Sequence, residues 1–223
     1  MRTVAFCEIE PYCQEQLARI WPGVPIFADV RGLDAASLRA RGIAPDVICG
    51  GFPCQDLSIA GAGAGIGGSR SGLWREYARL IGEIRPKFVI VENVAALLNR
   101  GLGIVLGDLA ALGFDAEWHC IPASAVGAEH HRDRIWIVAY ARETRLQGLH
   151  DARWGKHLQP ASGDVWRHWS AEPAVARVAN GVPRQLVADE IAAYGNAVVP
   201  QIPEIIGRAI MSIGRLSASE RKE

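Results

Sequence analysis

The segment PKFVIVENVAALLNR, residues 86–100, joins a continuous apolar run to an abrupt pair of polar side chains. Residues 88–91 show no alternation of apolar and polar side chains, which is typical of a strand with helices covering both of its faces. Glu92 and Asn93 follow this run directly. Because the ligands of open α/β sheets collect at the carboxyl ends of the strands, we expect Glu92 to lie at a functional site and Asn93 to anchor the strand end.

Short apolar runs alternate with helical patterns along the rest of the chain, which indicates an α/β domain with a mostly parallel sheet. Strands are predicted at residues 3–6, 46–49, 88–91, 115–120 and 135–139, and helices at 11–20, 73–84, 103–112 and 202–213. Glu8 follows the first strand and Cys54 follows the second, whereas Arg132 and Arg134 come just before the last. These positions predict one cleft at an edge of the sheet.

Composition limits the partners and the compartment. The 24 lysines and arginines balance the 24 aspartates and glutamates, so a nucleic-acid surface would have to come from a local arrangement of charge. The five cysteines show no CxxC spacing, which disfavours a disulfide framework or a zinc site. We therefore expect no metal and a reducing, cytoplasmic location. The N-terminus lacks a signal-peptide pattern and the apolar runs are short, so we expect no membrane segment.

The chain divides into three predicted regions. Residues 1–141 carry the α/β pattern and form a catalytic and cofactor domain. Residues 142–184 have little periodicity and intersperse arginine, histidine and tryptophan, as in RWGKHLQPASGDVWRHWS, which indicates a short irregular insert. Residues 185–223 include YGNAVVPQIPEIIGRAI, which indicates a return to the first domain.

The segment VICGGFPCQ, residues 47–55, sets one thiol at the start of a loop rich in glycine, alanine and serine. A packing cysteine would not need that setting, and a metal site would need partner ligands. Gly63, Gly65 and Gly68 match G-x-G-x-x-G, but a dinucleotide fingerprint must follow a strand directly and open a helix, which this segment does not do. The glycines instead give the loop room to move.

Four blocks in this order resemble the cytosine-5 DNA methyltransferases: GGFPCQDLS (50–58), VENV (91–94), HHRDRIWIVA (130–139) and GNAVVPQ (195–201). FCEIEPYCQEQL, FADV and SRSGLW are similar to further segments of that family. The resemblance implies a Rossmann-like sheet that binds S-adenosylmethionine. It also implies that the insert is a small target-recognition region and that the substrate is double-stranded DNA.

The resemblance also implies roles for the polar residues. Cys54 adds as a thiolate to carbon 6 of cytosine, so that carbon 5 can attack the methyl group of the cofactor. Glu92 protonates or hydrogen-bonds N3, Arg134 holds O2, and Arg132 helps set the site or contacts a phosphate. The target base must be flipped out of the duplex, and residues 55–72 would close over it. The expected DNA contacts in that loop are Gln55, Ser58 and Arg70.

The expected cofactor residues are implied in the same way. Glu8 would accept both ribose hydroxyls, Ile9 would flank the adenine, and Asp29 with Val30 would meet its amino edge. Three further positions match family positions around the cofactor: Leu73, Asn196 and Val198.

The sequence departs from the family in three places. Family members begin with a strand and an F-x-G-x-G turn that cradles the methionine part of the cofactor, so we expect this chain to be N-terminally truncated. We therefore expect weak cofactor binding unless an upstream segment or a partner completes the site. His130 occupies the family's glutamine position. The third departure is the insert, which is short for a target-recognition domain. Its tryptophans either touch DNA or make a small core.

Three alternatives to a DNA methyltransferase stay open on the sequence alone. In the first, the chain would be an inactive fragment that binds DNA or a partner. In the second, it would be an RNA cytosine-5 methyltransferase of the same fold, and in the third, a cysteine hydrolase. The last would need a histidine base, and no motif ties a histidine to Cys54. The oligomeric state and the recognised DNA sequence cannot be predicted.

Overall fold

Two β-sheets make up the strand content of the described residues, which in this computed structural model are 1–53, 72–142 and 196–219. The strands are β1 (Phe6–Cys7), β2 (Ile26–Phe27), β3 (Val47–Gly51), β4 (Phe88–Val94), β5 (Phe114–Ile121) and β6 (Arg134–Ala141). β1 pairs with β2, and the larger sheet has the order β3-β4-β6-β5. Each of the five predicted strands has a counterpart, although the first, predicted at residues 3–6, is observed at Phe6–Cys7. The strand β2 was missed.

Helices connect and cover these strands. They are α1 (Pro11–Ile20), α2 (Ala35–Ala40), α3 (Gly72–Ile84), α4 (Leu97–Arg100), α5 (Leu102–Ala111) and α6 (Gln201–Ser219). The predicted bounds of α1 are confirmed at both ends. Pro11 begins the helix because its fixed φ suits the first helical position. Asp34 begins α2 as one half of a capping box with Ser37.

The larger sheet is mixed, so the expectation of a mostly parallel sheet holds for only part of it. β3 is parallel to β4, and β1 is parallel to β2, but β6 is antiparallel to both β4 and β5. A short 3₁₀ turn at Ala123–Val126, with no crossover helix, lies between β5 and β6. Without a crossover, neighbouring strands pair antiparallel.

The core confirms that β4 is covered on both faces. Val89 and Val91 pack with residues of α3 and α5, whereas Phe88 and Ile90 pack with residues of α6 on the other face. All four of these side chains are buried. Burying such a side chain stabilises a fold by roughly 1.5–3 kcal/mol, so the apolar run of β4 fixes the centre of the sheet.

Helix α3 joins the two sheets. Tyr77 and Ile81 pack in the core of the larger sheet, and Leu80 packs in a separate cluster with Leu33 and Leu38. Phe27 of β2 packs against the second cluster. The smaller sheet is therefore fastened to the larger one through the helix that follows residues 54–71.

The division into three domains stays a prediction, because most of the insert lies outside the described residues. Helix α6 does pack on the larger sheet through Ile202 and Ile206, and Val199, just before the helix, packs in the same cluster. In the described part of the chain, no helix is both long enough and apolar enough to cross a membrane.

Candidate active site

Glu92 lies near the carboxyl end of β4, between strands β3 and β6. Its Oε1 is 3.0 Å from Nε of Arg134, and both side chains are about four-fifths buried. Gly51 of β3 is its register partner on one side and Trp136 of β6 on the other. The structure therefore brings together two of the four predicted catalytic residues as a partly buried ion pair.

Gly51 leaves the space that the Glu92 carboxylate occupies. A Cβ at this position would lie 3.0 Å from Oε2 of Glu92 and 3.1 Å from its backbone oxygen. Those separations are tighter than most real Cβ contacts, so a neighbour would have to give by a few tenths of an ångström. A side chain at residue 51 would therefore press on both the carboxylate and the backbone of Glu92.

Burial raises the pKa of Glu92 above its ordinary value, against the lowering effects of Arg134 and then Arg132. Trp136, the cross-strand partner, is only 3% exposed and helps to keep water away. The result is a carboxyl group that holds its proton more strongly than an exposed glutamate does. Such a group suits general acid chemistry better than an exposed glutamate does.

Arg132 joins the start of β6 to the segment before α6. Its Nη2 donates to the backbone oxygen of Ala197 at 2.6 Å. Its φ is 35°, in the left-handed region. A non-glycine residue keeps such a conformation only where its surroundings fix it, so the contact with residue 197 helps to define the site.

Asn93 anchors the end of β4 to the segment that leads to Cys54. Its buried Nδ2 donates to the backbone oxygen of Phe52 at 2.9 Å, and its Oδ1 accepts from the N–H of Val94 at 2.9 Å. The predicted anchoring role is confirmed. Residue 53 is the last described before the gap. The predicted nucleophile and DNA contacts lie outside the described residues: Cys54, Gln55, Ser58 and Arg70.

A second group of predicted residues lies around β1 and β2. The N–H of Glu8 donates to the backbone oxygen of Phe27 at 2.9 Å, which fixes Glu8 at the end of β1. Its Oε1 accepts from the N–H of Glu10 at 2.9 Å. Ile9 is 57% exposed, which is high for an isoleucine and leaves an apolar surface beside the Glu8 carboxylate.

Asp29 follows β2 and begins a 3₁₀ turn at Val30–Gly32. Its carboxylate accepts from the N–H of Arg31 at 2.9 Å and pairs with that guanidinium at 2.6 Å. These hydrogen bonds lower the pKa of Asp29. The side chain is therefore ionised and held at the edge of the turn.

Three other predicted cofactor residues are exposed. Leu73 lies in the first turn of α3, and Asn196 and Val198 precede α6. That these three residues share one pocket with Glu8 and Asp29 stays a prediction.

Sequence reasoning missed three residues of these sites. Gly51 and Trp136 flank Glu92 through strand register, and Arg79 of α3 contacts the turn after Asp29. Gly51 stood within a quoted motif, but its partner was unknown without the pairing. The contacts of Arg79 span 46 and 49 residues, and no local pattern marks such contacts.

Comparisons with known proteins identify the class. Residues 1–178 match the family described as C-5 cytosine-specific DNA methylase, so the chain belongs to that family. It is 34% identical over 145 residues to the type II methyltransferase M2.BsuMI of Bacillus subtilis (strain 168), covering 61% of this chain and 36% of that protein. It is 31% identical over 141 residues to M.CviJI of Paramecium bursaria Chlorella virus IL3A, covering 63% and 38%.

The fold is similar to that of solved structures. A crystal structure of a Spodoptera frugiperda DNMT2 mutant matches with a TM-score of 0.51 and 17% identity, over 62% of this chain and 42% of that one. The predicted family and the predicted fold class are thus confirmed. The chain spans little more than a third of the length of the two curated relatives above.

Proposed function

We propose that this chain carries the chemistry of a DNA cytosine-5 methyltransferase, which moves a methyl group from S-adenosylmethionine to carbon 5 of cytosine in double-stranded DNA. One observation carries the proposal. The partly buried ion pair of Glu92 with Arg134 lies beside the strand that leads into Cys54. An acid, a forked cation and a thiol are the three groups that this reaction asks of a protein.

Cys54 is the proposed nucleophile. Carbon 5 of cytosine is a poor nucleophile until another group adds to carbon 6, and a thiolate supplies that addition. The hydrogen bond from Asn93 to Phe52 holds the backbone two residues before the thiol next to β4. A free cysteine has a pKa of about 8.5, so positive charge from Arg132 and Arg134 would increase its thiolate fraction.

Glu92 is the proposed proton donor to N3 of the ring. Addition at carbon 6 places negative charge on the ring, and a proton or a hydrogen bond at N3 neutralises it. The raised pKa of Glu92 keeps a larger protonated fraction available at neutral pH. After methyl transfer, a water molecule acting as base takes the carbon 5 proton and the thiolate leaves carbon 6. N3 returns its proton to Glu92, which restores the free enzyme.

Arg134 is the proposed contact to O2 of the base. A guanidinium has five N–H donors. In Arg134, Nε pairs with Glu92 and Nη1 donates to the backbone oxygen of Asp133 at 3.0 Å. The remaining donors suit a carbonyl oxygen. Arg134 would then orient the base and the acid together, and Arg132 would hold the neighbouring segment through Ala197.

The residues around β1 and β2 fit the adenosyl part of the cofactor. Glu8 is fixed at a strand end, where acidic residues of nucleotide folds take ribose hydroxyls. Ile9 offers an exposed apolar face to adenine, and Asp29 and Val30 offer polar groups to its amino edge. When bound, the cofactor supplies an electrophilic methyl group. The other proposed contacts are Leu73, Asn196 and Val198.

Outside the cofactor site, the proposal adds the DNA and the segments of this chain that would contact it. Duplex DNA would supply the flipped cytosine, with residues 55–72 closing over it and the insert touching the duplex.

Trapping on duplex DNA that contains 5-fluorocytosine tests the proposal. Fluorine at carbon 5 prevents the final elimination, so methyl transfer leaves a covalent protein–DNA adduct. We expect an adduct that needs the cofactor, is absent in Cys54→Ala and forms more slowly in Glu92→Gln. No adduct at saturating cofactor would favour a fragment that only binds DNA. Methyl transfer to tRNA with none to duplex DNA would favour the RNA enzyme.

A further inference from the structure

Arg79 of α3 makes four polar contacts that connect this helix to the turn after β2. Its Nη2 donates to the backbone oxygens of Val30 at 3.0 Å and Leu33 at 2.8 Å. Its Nε donates to Glu76 and its Nη1 to Glu83, each at 2.7 Å. The guanidinium thus has two neutral acceptors on one side and two carboxylates along its own helix.

We propose that Arg79 is a positioning residue for the cofactor, acting through the turn of residues 29–33. This inference rests on the proposed function, because Asp29 and Val30 are the proposed contacts to the adenine. Arg79 touches the backbone of Val30 but is not itself a proposed contact to the adenine. It fixes the backbone from which the two contacts project.

The side chain of Asp29 caps the start of this turn, but the two backbone hydrogen bonds that close the turn are long. Gly32 N–H to Asp29 oxygen is 3.2 Å, and Leu33 N–H to Val30 oxygen is 3.3 Å. A single 3₁₀ turn has poorer hydrogen-bond geometry than an α-helix. Arg79 donates to one carbonyl inside the turn and to one at its end, so it holds the turn against α3 at two points.

Glu76 and Glu83 form ion pairs with Arg79 and so hold its guanidinium in the position from which it reaches the turn. Glu83 also accepts from the N–H of Ala35 at 3.1 Å, so α2 is held on the same support. Lysine would keep the positive charge toward Glu76 and Glu83. A single ammonium cannot serve carbonyls and carboxylates in opposed directions as the planar fork does.

The chain offers matched variants to separate positioning from helix stabilisation. Arg79→Lys loses the fork and keeps the charge. Glu76→Gln removes one ion pair within α3 and keeps both contacts to the turn. Arg208→Lys alters an exposed ion pair with Glu204 on α6, far along the chain from the turn.

The experiment measures the affinity of the full chain for S-adenosylhomocysteine by titration calorimetry. We expect Arg79→Lys to bind about tenfold more weakly, the order of one to two lost hydrogen bonds. Glu76→Gln and Arg208→Lys should stay within about twofold of the wild type. The affinity for duplex DNA should not change in any of the three variants.

Hydrogen exchange gives a readout that does not need the cofactor. The amides of Gly32 and Leu33 should exchange faster in Arg79→Lys, with no change in α6. If Arg79→Lys binds the ligand as the wild type does, or Glu76→Gln weakens binding equally, the positioning role is overturned. If the wild type binds no adenosyl ligand, the proposed function fails instead, and unchanged exchange at Gly32 and Leu33 would overturn the inference on its own.

Discussion

Adding one methyl group at Gly51 should disable the Glu92 site while leaving the sheet folded. Ordinary contact with a Cβ begins at 3.4 Å, so the new methyl group would overlap Oε2 of Glu92 by about 0.4 Å and its backbone oxygen by about 0.3 Å. The backbone oxygen belongs to a strand paired on both sides and cannot retreat. The Glu92 side chain is therefore expected to shift by a few tenths of an ångström, which perturbs its contact with Arg134, while the overlap with the backbone oxygen remains as strain.

The expected magnitudes follow from that overlap. Overpacking of a well-packed site costs about 1–3 kcal/mol. Replacing glycine by alanine at a residue without positive φ recovers about 0.4–1 kcal/mol through the unfolded chain. We expect Gly51→Ala to lose about 1–2 kcal/mol of unfolding free energy in urea denaturation. Because general acid catalysis contributes 10²–10⁴-fold, adduct formation on 5-fluorocytosine DNA should slow by roughly 10² or more.

Gly50 provides the matched control. A Cβ there would meet the ring of Tyr77 at 3.8 Å, which is ordinary contact, on the same strand and one residue away. Gly50→Ala should therefore keep wild-type stability or gain slightly, and should form the adduct at the wild-type rate. Equal stability and equal adduct rates in the two variants would refute the argument that residue 51 is bare to make room for Glu92.

Three other changes have expected outcomes. The pKa of Glu92 is raised, so the folded chain binds the Glu92 proton more tightly than the unfolded chain does. The stability that this proton contributes is fully present below the ordinary glutamate pKa of 4.5 and is lost as pH rises through the pKa of the folded state. Glu92→Gln cannot titrate, so in urea denaturation from about pH 4 to pH 8 it should lose less unfolding free energy than the wild type; parallel curves would contradict this. Asn93→Ala leaves the oxygen of Phe52 without its donor and should cost about 1–3 kcal/mol, measured by the same denaturation, whereas a loss under about 0.5 kcal/mol would show that water replaces the amide. Arg134→Lys keeps the charge beside Glu92 but not the fork, so the adduct should form at least tenfold more slowly, as measured by gel shift, and a wild-type rate would remove Arg134 from the proposed O2 contact.

Sequence pattern predicted the elements whose signal is local and strong. The apolar run before Glu92 and the proline at the start of α1 each predict their element without reference to the rest of the chain. β2 has only two residues, and Pro25 directly before them weakens this short apolar run as a strand signal. α2 was missed although Asp34 and Ser37 carry a capping box, so that signal was available. The antiparallel pairing of β6 with β4 depends on contacts between distant strands and had no local sign.

The candidate site divides in the same way. Glu92, Arg132 and Arg134 were predicted from their positions next to predicted strands together with the motifs that resemble those of the cytosine-5 DNA methyltransferases. The shape of the site comes from register instead: Gly51 matters only because β3 pairs with β4. Register follows from the whole sheet, so no reading of nine residues around Cys54 would have found that role.

Helix α3 explains how the two halves of the proposed site keep one geometry. On the base side, the hydroxyl of Tyr77 donates to the backbone oxygen of Ile90 at 2.9 Å, two residues before Glu92. On the cofactor side, Arg79 holds the turn after Asp29. Both contacts start within one turn of the same helix, so the strand bearing Glu92 and the turn proposed to face the adenine are held by one rigid element. Methyl transfer needs the cofactor and the base to be held in line at a fixed separation. A helix that contacts both parts of the proposed site sets that separation, which two unconnected sheets would not do.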